Sequence, residues 1–121
     1  MIKNIKRVLV ANRGEIAVRI IRSLRDLGIE SVAVYSDADA QSLHRKLASY
    51  SVRLPGRSSS DTYLNFEALA AAIKTSGADA VHPGYGFLSE DSGFCKLVGE
   101  LGCKFIGPSV KAMETMGNKV A

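Results

Sequence analysis

Apolar residues in this chain follow two rhythms. Val8-Leu9-Val10-Ala11 and Val32-Ala33-Val34 are unbroken short runs, as expected of strands buried on both faces. Between them, Ile16, Ala17, Ile20, Ile21, Leu24 and Leu27 recur at spacings of three and four. That spacing makes one inward stripe on a helix. Applied along the chain, it predicts strands at about Arg7–Ala11, Ser31–Tyr35, Ser49–Arg53, Ala78–Val81 and Lys104–Ile106. Helices are predicted at about Gly14–Leu27, Ser42–Leu47, Asn65–Ser76 (Phe66, Leu69, Ala70 and Ile73 inward) and Glu90–Leu101, with Ser109 capping a last one over Val110–Val120. Strands alternating with helices imply an open five-stranded parallel α/β sheet with helices on both faces. Ile20, Leu24, Val34, Leu69 and Val81 should lie in its core, and Gly28 should end the first helix.

Composition narrows the class. At 121 residues the chain is one domain with a real core. Its net charge of +4 is spread without a dense basic block, so nucleic acid is not an expected partner. No apolar run is long enough to span a bilayer. The basic start, Met1 to Arg7, leads into a strand without a small-residue cleavage site, so neither a membrane nor a signal peptide is expected. Cys95 and Cys103 read as free thiols in a reducing compartment. The helical pattern of Val110–Val120 is still running at Ala121, which suggests truncation from a longer polypeptide.

Candidate chemistry gathers where strands hand over to helices. His82-Pro83-Gly84-Tyr85-Gly86-Phe87-Leu88-Ser89-Glu90 follows the fourth strand. Two glycines around one tyrosine allow φ > 0 and close approach of a ligand. Ser89 is expected to cap the next helix, with Glu90 at its positive end. Open α/β sheets bind ligands at such carboxyl-end turns. The alternative is a tight connection whose tyrosine only packs. In the first turn, Ala11-Asn12-Arg13-Gly14-Glu15, a dinucleotide site would need G-x-G-x-x-G. Only Gly14 is present, and Glu15 would repel a phosphate at the helix start. Asp37 could pass for a ribose-binding acid, but Asp37 and Asp39 also read as a turn and an N-cap. Asn12, Arg13 and Glu15 could orient the cleft loops; alternatively Glu15 caps the helix and Arg13 is solvated or paired. His82 reads as a hydrogen-bonded structural residue, and His44 as exposed.

Four motifs together carry a family resemblance: the strand and turn Val8 to Glu15, the nonapeptide His82–Glu90, Phe105-Ile106-Gly107-Pro108-Ser109, and Met116-Gly117-Asn118-Lys119-Val120. In this order and spacing they resemble the N-terminal domain of biotin carboxylase, the ATP-consuming component of biotin-dependent acyl-CoA and pyruvate carboxylases. The resemblance implies a Rossmann-like domain, here 1–121, that precedes an ATP-grasp fold. It implies an enzyme that uses ATP, with Mg or Mn, and bicarbonate to carboxylate biotin held on a carrier protein or domain. It implies as partners the remaining ATP-grasp and C-terminal domains, the biotin carboxyl carrier and a carboxyltransferase, with a second copy in a homodimer as a further candidate. The compartment implied is the cytoplasm, or the mitochondrial matrix in a eukaryote.

By the same resemblance Lys119 reaches the nucleotide, although Asn118 stands where the family commonly has aspartate. Tyr85, Gly86 and Glu90 line the biotin and bicarbonate cleft. The polar face of the first helix, with Arg19, Arg22, Arg25 and Asp26, has two readings: an ordinary solvated face or a subunit contact. The fragment alone should be inactive. A competing reading is a non-catalytic dimerisation or binding module that kept only this domain.

Overall fold

The computed structural model describes residues 5–86 and 88–107. Its elements are β1 (Arg7–Val10), α1 (Gly14–Asp26), β2 (Glu30–Ser36), a 3-10 turn (Asp37–Asp39), α2 (Leu43–Leu47), β3 (Tyr50–Leu54), α3 (Phe66–Ser76), β4 (Ala80–His82), α4 (Ser92–Glu100) and β5 (Lys104–Phe105). Ser109, the expected last helix and Lys119 lie outside the described residues.

All pairings are parallel, and the sheet order is β3-β2-β1-β4-β5. The continuous apolar runs follow from this order. Alternate residues of β1 face opposite layers. Leu9, Val32, Val34 and Val81 meet Leu69 and Ile73 of α3 and Phe94 and Val98 of α4. Val8, Val10, Ala33 and Ala80 meet Ala17, Ile20, Ile21 and Leu24 of α1. The five expected core residues, Ile20, Leu24, Val34, Leu69 and Val81, are all buried.

Helix ends follow local chemistry. Asn65 accepts a hydrogen bond from the Ala68 amide and so caps α3. For α4 the cap is Asp91, whose Oδ1 accepts from the Phe94 amide at 3.0 Å. This corrects the expectation for Ser89: residues 88–90 form a turn, and α4 starts later, where an Asx side chain can reach the amide three residues on. Glu15 lies in the first turn of α1 without capping it; Arg13 holds the N-cap position and makes no side-chain cap.

Two burial expectations are also corrected. Leu27 is 73% exposed, because α1 ends at Asp26 and the following residue leaves the stripe. His44 is 1% exposed, whereas Leu43 beside it is 51% exposed. The short α2 turns its histidine inward, where Nε2 bonds the Val34 carbonyl at 2.9 Å. Nδ1 has no hydrogen-bond partner among the described residues. Burial pulls the His44 pKa below its ordinary 6.5, so the ring stays neutral in the fold.

An ionic network around the buried Asp39 carboxylate joins the ends of β1 and β2, its Arg13 side chain half exposed. Arg13 grips Asp39 through Nε at 2.6 Å and Nη2 at 2.7 Å. Tyr63 donates its hydroxyl hydrogen to the same carboxylate at 2.6 Å and accepts from the Ser36 amide at 3.0 Å. These bonds hold the Asp39 carboxyl well below the usual carboxylate range, against an opposing cost of burial. Burial, and then the bond to Asp39, push the Tyr63 phenol up to about 12. Asp39 is therefore a buried bridge and not the expected N-cap.

Two outcomes test this description. Leu24→Ala should cost about 2–5 kcal/mol, and Leu27→Ala less than about 1 kcal/mol, since it removes little buried surface. Equal losses in urea melts would mean that α1 is rotated. Stability should also depend on pH below neutrality. Burial lowers the pKa of His82 as well as that of His44. As pH falls below about 6.5, the unfolded chain takes up protons that the fold refuses, so stability declines. The Asp39 contribution is lost at lower pH, as the pH falls below that carboxyl's ordinary 3.8. Urea midpoints that are equal at about pH 7.5 and pH 5.5 would contradict the buried neutral histidines.

Candidate functional site at the carboxyl edge of the sheet

The central strand fixes the site. Parallel pairing sets Val10 opposite His82. The Ala11 amide then bonds the His82 carbonyl at 2.9 Å. The chains leaving β1 and β4 therefore emerge side by side. On its other flank β1 pairs with β2, and the chain after β2 leads on to β3, away from β4. This is the point where strand order reverses, and where open α/β sheets leave a crevice.

The loop after β4 is built for that crevice. Gly84 and Gly86 have φ of +70° and +67°, a region open to glycine but strained for other residues. Gly84 has a second constraint, since a Cβ there would stand 2.7 Å from Asn12 Nδ2 and 3.0 Å from Ile16 Cγ2. Around Gly86 that space is open. The Gly84 amide donates to His82 Nδ1 at 3.0 Å. Accepting that bond makes Nδ1 unprotonated and puts the ring proton on Nε2, and burial pulls the His82 pKa below its ordinary 6.5. The histidine thus has the structural role that its position at a strand end suggests.

Asn12 closes the arrangement. Its Nδ2 donates to the Pro83 carbonyl at 2.9 Å and to the Tyr85 carbonyl at 2.8 Å. Its Oδ1 accepts from the Arg13 amide at 2.8 Å. At 2% exposure the carboxamide is enclosed and fully used. Tyr85, in contrast, is 71% exposed although its backbone is held.

A cavity of about 270 Å³ lies against this loop, lined by His82, Pro83, Gly84, Tyr85, Ser89, Glu90, Ile106 and Gly107. Two sequence-expected site residues, Tyr85 and Glu90, therefore meet at one cavity, and Gly86 stands exposed beside Tyr85. His82, Tyr85 and Ile106 also line an apolar groove of about 390 Å³ with Ile16, Ile20 and Leu27. Arg19, Arg22 and Asp26 are exposed on α1, and Arg19 borders that groove.

The remaining polar residues of this edge are committed. Asp37 accepts two bonds from Arg53 and one from the Gly56 amide, which lower its pKa to about 2. It is not free to hold a ribose. Among the described residues no group of three or more His, Cys, Asp or Glu could hold a metal ion. Neither cysteine is in a disulfide; Cys103 donates to the Ala78 carbonyl at 3.1 Å. No helix of the described residues is long and apolar enough to cross a membrane.

The residue that sequence reasoning underrated is Asn12. It stood among several polar residues after β1, and nothing in sequence spacing singles it out. Its partners are more than seventy positions away, and only the adjacency of β1 and β4 brings them together.

Known proteins share this fold. The family model for the biotin carboxylase N-terminal domain matches residues 4–113. Biotin carboxylase 1 of Bacillus subtilis is 50% identical over 115 residues, which are 95% of this chain and 26% of that protein. The mitochondrial propionyl-CoA carboxylase alpha chain of Rattus norvegicus is 48% identical over 98% of this chain and 16% of its own length. The crystal structure of a biotin carboxylase–β,γ-ATP complex from Campylobacter jejuni superposes with a TM-score of 0.88 at 46% identity, covering 92% of this chain and 25% of that one. The chain thus spans a quarter or less of the length of most of these relatives. With the family model matching residues 4–113 and relatives 46–50% identical over 92–98% of the chain, the chain belongs to the biotin carboxylase N-terminal domain family.

Proposed function

We propose that this chain serves as the N-terminal domain of a biotin carboxylase, in a polypeptide that continues into an ATP-grasp fold and a C-terminal domain. The complete enzyme uses ATP and bicarbonate to carboxylate biotin on a carrier protein or domain, and a carboxyltransferase then moves the carboxyl group to an acceptor. The observation that carries this reading is the Gly84-Tyr85-Gly86 turn at the switch point of the sheet, both glycines left-handed and the tyrosine exposed, in a chain of this family.

The division of labour follows from what the described residues offer. Tyr85, Gly86 and Glu90 form one wall of the cleft for biotin and bicarbonate. The exposed ring of Tyr85 suits a flat face of the bicyclic ligand. Glu90 carries negative charge and suits a hydrogen-bond donor better than the bicarbonate anion itself. Lys119 supplies a compact positive charge to an ATP phosphate. Magnesium or manganese, acting as charge neutraliser and template, is held by residues of the following domain. The α1 face with Arg19, Arg22 and Asp26 serves as a subunit contact. The working compartment is the cytoplasm or the mitochondrial matrix.

This chain alone supplies too little to bind ATP tightly. One lysine–phosphate contact in water contributes about 1 kcal/mol or less, whereas millimolar to micromolar affinity needs about 4–8 kcal/mol. Titration of the 121-residue chain with Mg·ATP should show no micromolar binding; such binding would place a complete nucleotide site within this domain. The longer polypeptide should cleave ATP in a manner that depends on bicarbonate and biotin. There Lys119→Ala should raise the KM for ATP, and Lys119→Arg should restore it only partly, because a guanidinium fork differs from a point charge. An unchanged KM in Lys119→Ala would remove the lysine from the nucleotide site.

A further inference from the structure

Tyr85 combines an exposed ring with a fixed backbone, and the fixing traces to one side chain. A carboxamide has two N–H hydrogens, and Asn12 uses its Nδ2 on the carbonyls that straddle Gly84, at 2.9 Å to Pro83 and 2.8 Å to Tyr85. The register that sets Val10 against His82 brings Asn12 and Gly84, each two residues further on, into contact. Gly84 is closed to any side chain on the Asn12 side, so the loop sits directly against the carboxamide. Oδ1 is anchored in turn on the Arg13 amide at 2.8 Å, and the Arg13 guanidinium is anchored on Asp39.

We infer that Asn12 is a positioning residue of the cleft: its carboxamide clamps the Pro83 and Tyr85 carbonyls and so sets where the Tyr85 ring stands toward the ligand. This rests on the proposed reading of the loop as the biotin and bicarbonate wall. Few other residues can replace Asn12. Aspartate keeps the shape and the acceptor for Arg13 but turns a carboxylate oxygen toward two carbonyls. Serine and alanine stop short of them. Glutamine adds a methylene toward the space that Gly84 keeps clear. Without the clamp, the Pro83 and Tyr85 carbonyls lose these donors, and among the described residues the Gly84–His82, Ser89–Gly86 and Asp91–Leu88 bonds remain.

The test uses the full-length protein with Asn12→Ala, Asn12→Asp and Gly84→Ala, and with Asn12→Ala and Gly84→Ala combined. Two readouts separate positioning from general stability: KM for free biotin against KM for ATP, and amide hydrogen exchange of the peptide containing Tyr85 against peptides from α1 and α3. Each single variant should raise the KM for biotin by about tenfold, the loss expected for two neutral hydrogen bonds, with the KM for ATP nearly unchanged. The Tyr85 peptide should lose protection while α1 and α3 keep theirs. The double variant should be no worse than the worse single one, because both lesions break one contact. If Asn12→Ala does not fold, Asn12→Asp and Gly84→Ala carry the same comparison. Equal changes in both KM values, additive effects, or an undisturbed Tyr85 peptide would overturn the clamp. Wild-type protein that does not carboxylate biotin would defeat the functional reading instead, and the exchange data would still decide whether Asn12 holds the loop.

Discussion

Parallel strands cannot be joined by a tight turn; each needs a crossover, which leaves one strand at its carboxyl end and re-enters the sheet at the amino end of the next. In this domain β1 leads to β2 on one flank, and the chain comes back from β3 through α3 to enter β4 on the other flank of β1. The turn after β1 and the loop after β4 are therefore pressed together without being near in sequence. The Val10–His82 pairing fixes their relative height. A slip of one residue would turn Val8 and Val10 out of the α1 layer and Leu9 into it. Core packing and cleft geometry are thus set by the same register.

The two sides of the β1 turn use different chemistry. Toward β4 the contacts are neutral: a carboxamide, a neutral imidazole and a glycine with no room for a side chain. Toward β2 they are ionic, with Arg13 and Tyr63 both on Asp39. A buried carboxylate is tolerated only when its lone pairs are taken, and Asp39 is 5% exposed with a guanidinium and a phenol upon it. The result is an edge whose acids after β2 are already occupied. That weighs against a dinucleotide site more firmly than the missing glycines do, because Asp37 and Asp39 are both held by arginine. The open polar groups are concentrated instead on the β4 side, at Tyr85 and Glu90.

The sheet was legible because its inner strands β1, β2 and β4 are buried on both faces and its helices on one; the two apolar rhythms are direct consequences of those environments. The glycine loop was legible because φ > 0 restricts the residue type. What escaped was set by tertiary contact. His44 sits in a polar stretch, yet α2 is only five residues long and its facing is set by the Val34 carbonyl, not by its own pattern. Leu27 fits the α1 stripe but falls after the helix has ended. Ser89 and Asp91 are both competent caps, and the choice between them depends on where the loop releases the chain. Asn12 is silent in sequence because its two acceptors belong to the other side of a crossover.

The clamp and the exposed ring belong together. An exposed aromatic on a loose loop loses conformational freedom when it binds, and that loss is subtracted from affinity. Here the loop backbone is already restricted by two left-handed glycines, one side-chain acceptor and two side-chain donor bonds. The ring retains rotation about its own bonds while its origin is fixed. The cost of that order is met within the domain by the β1–β4 pairing and the buried carboxamide. The exposed ring at this edge therefore stands on a backbone preorganised by the fold of this domain.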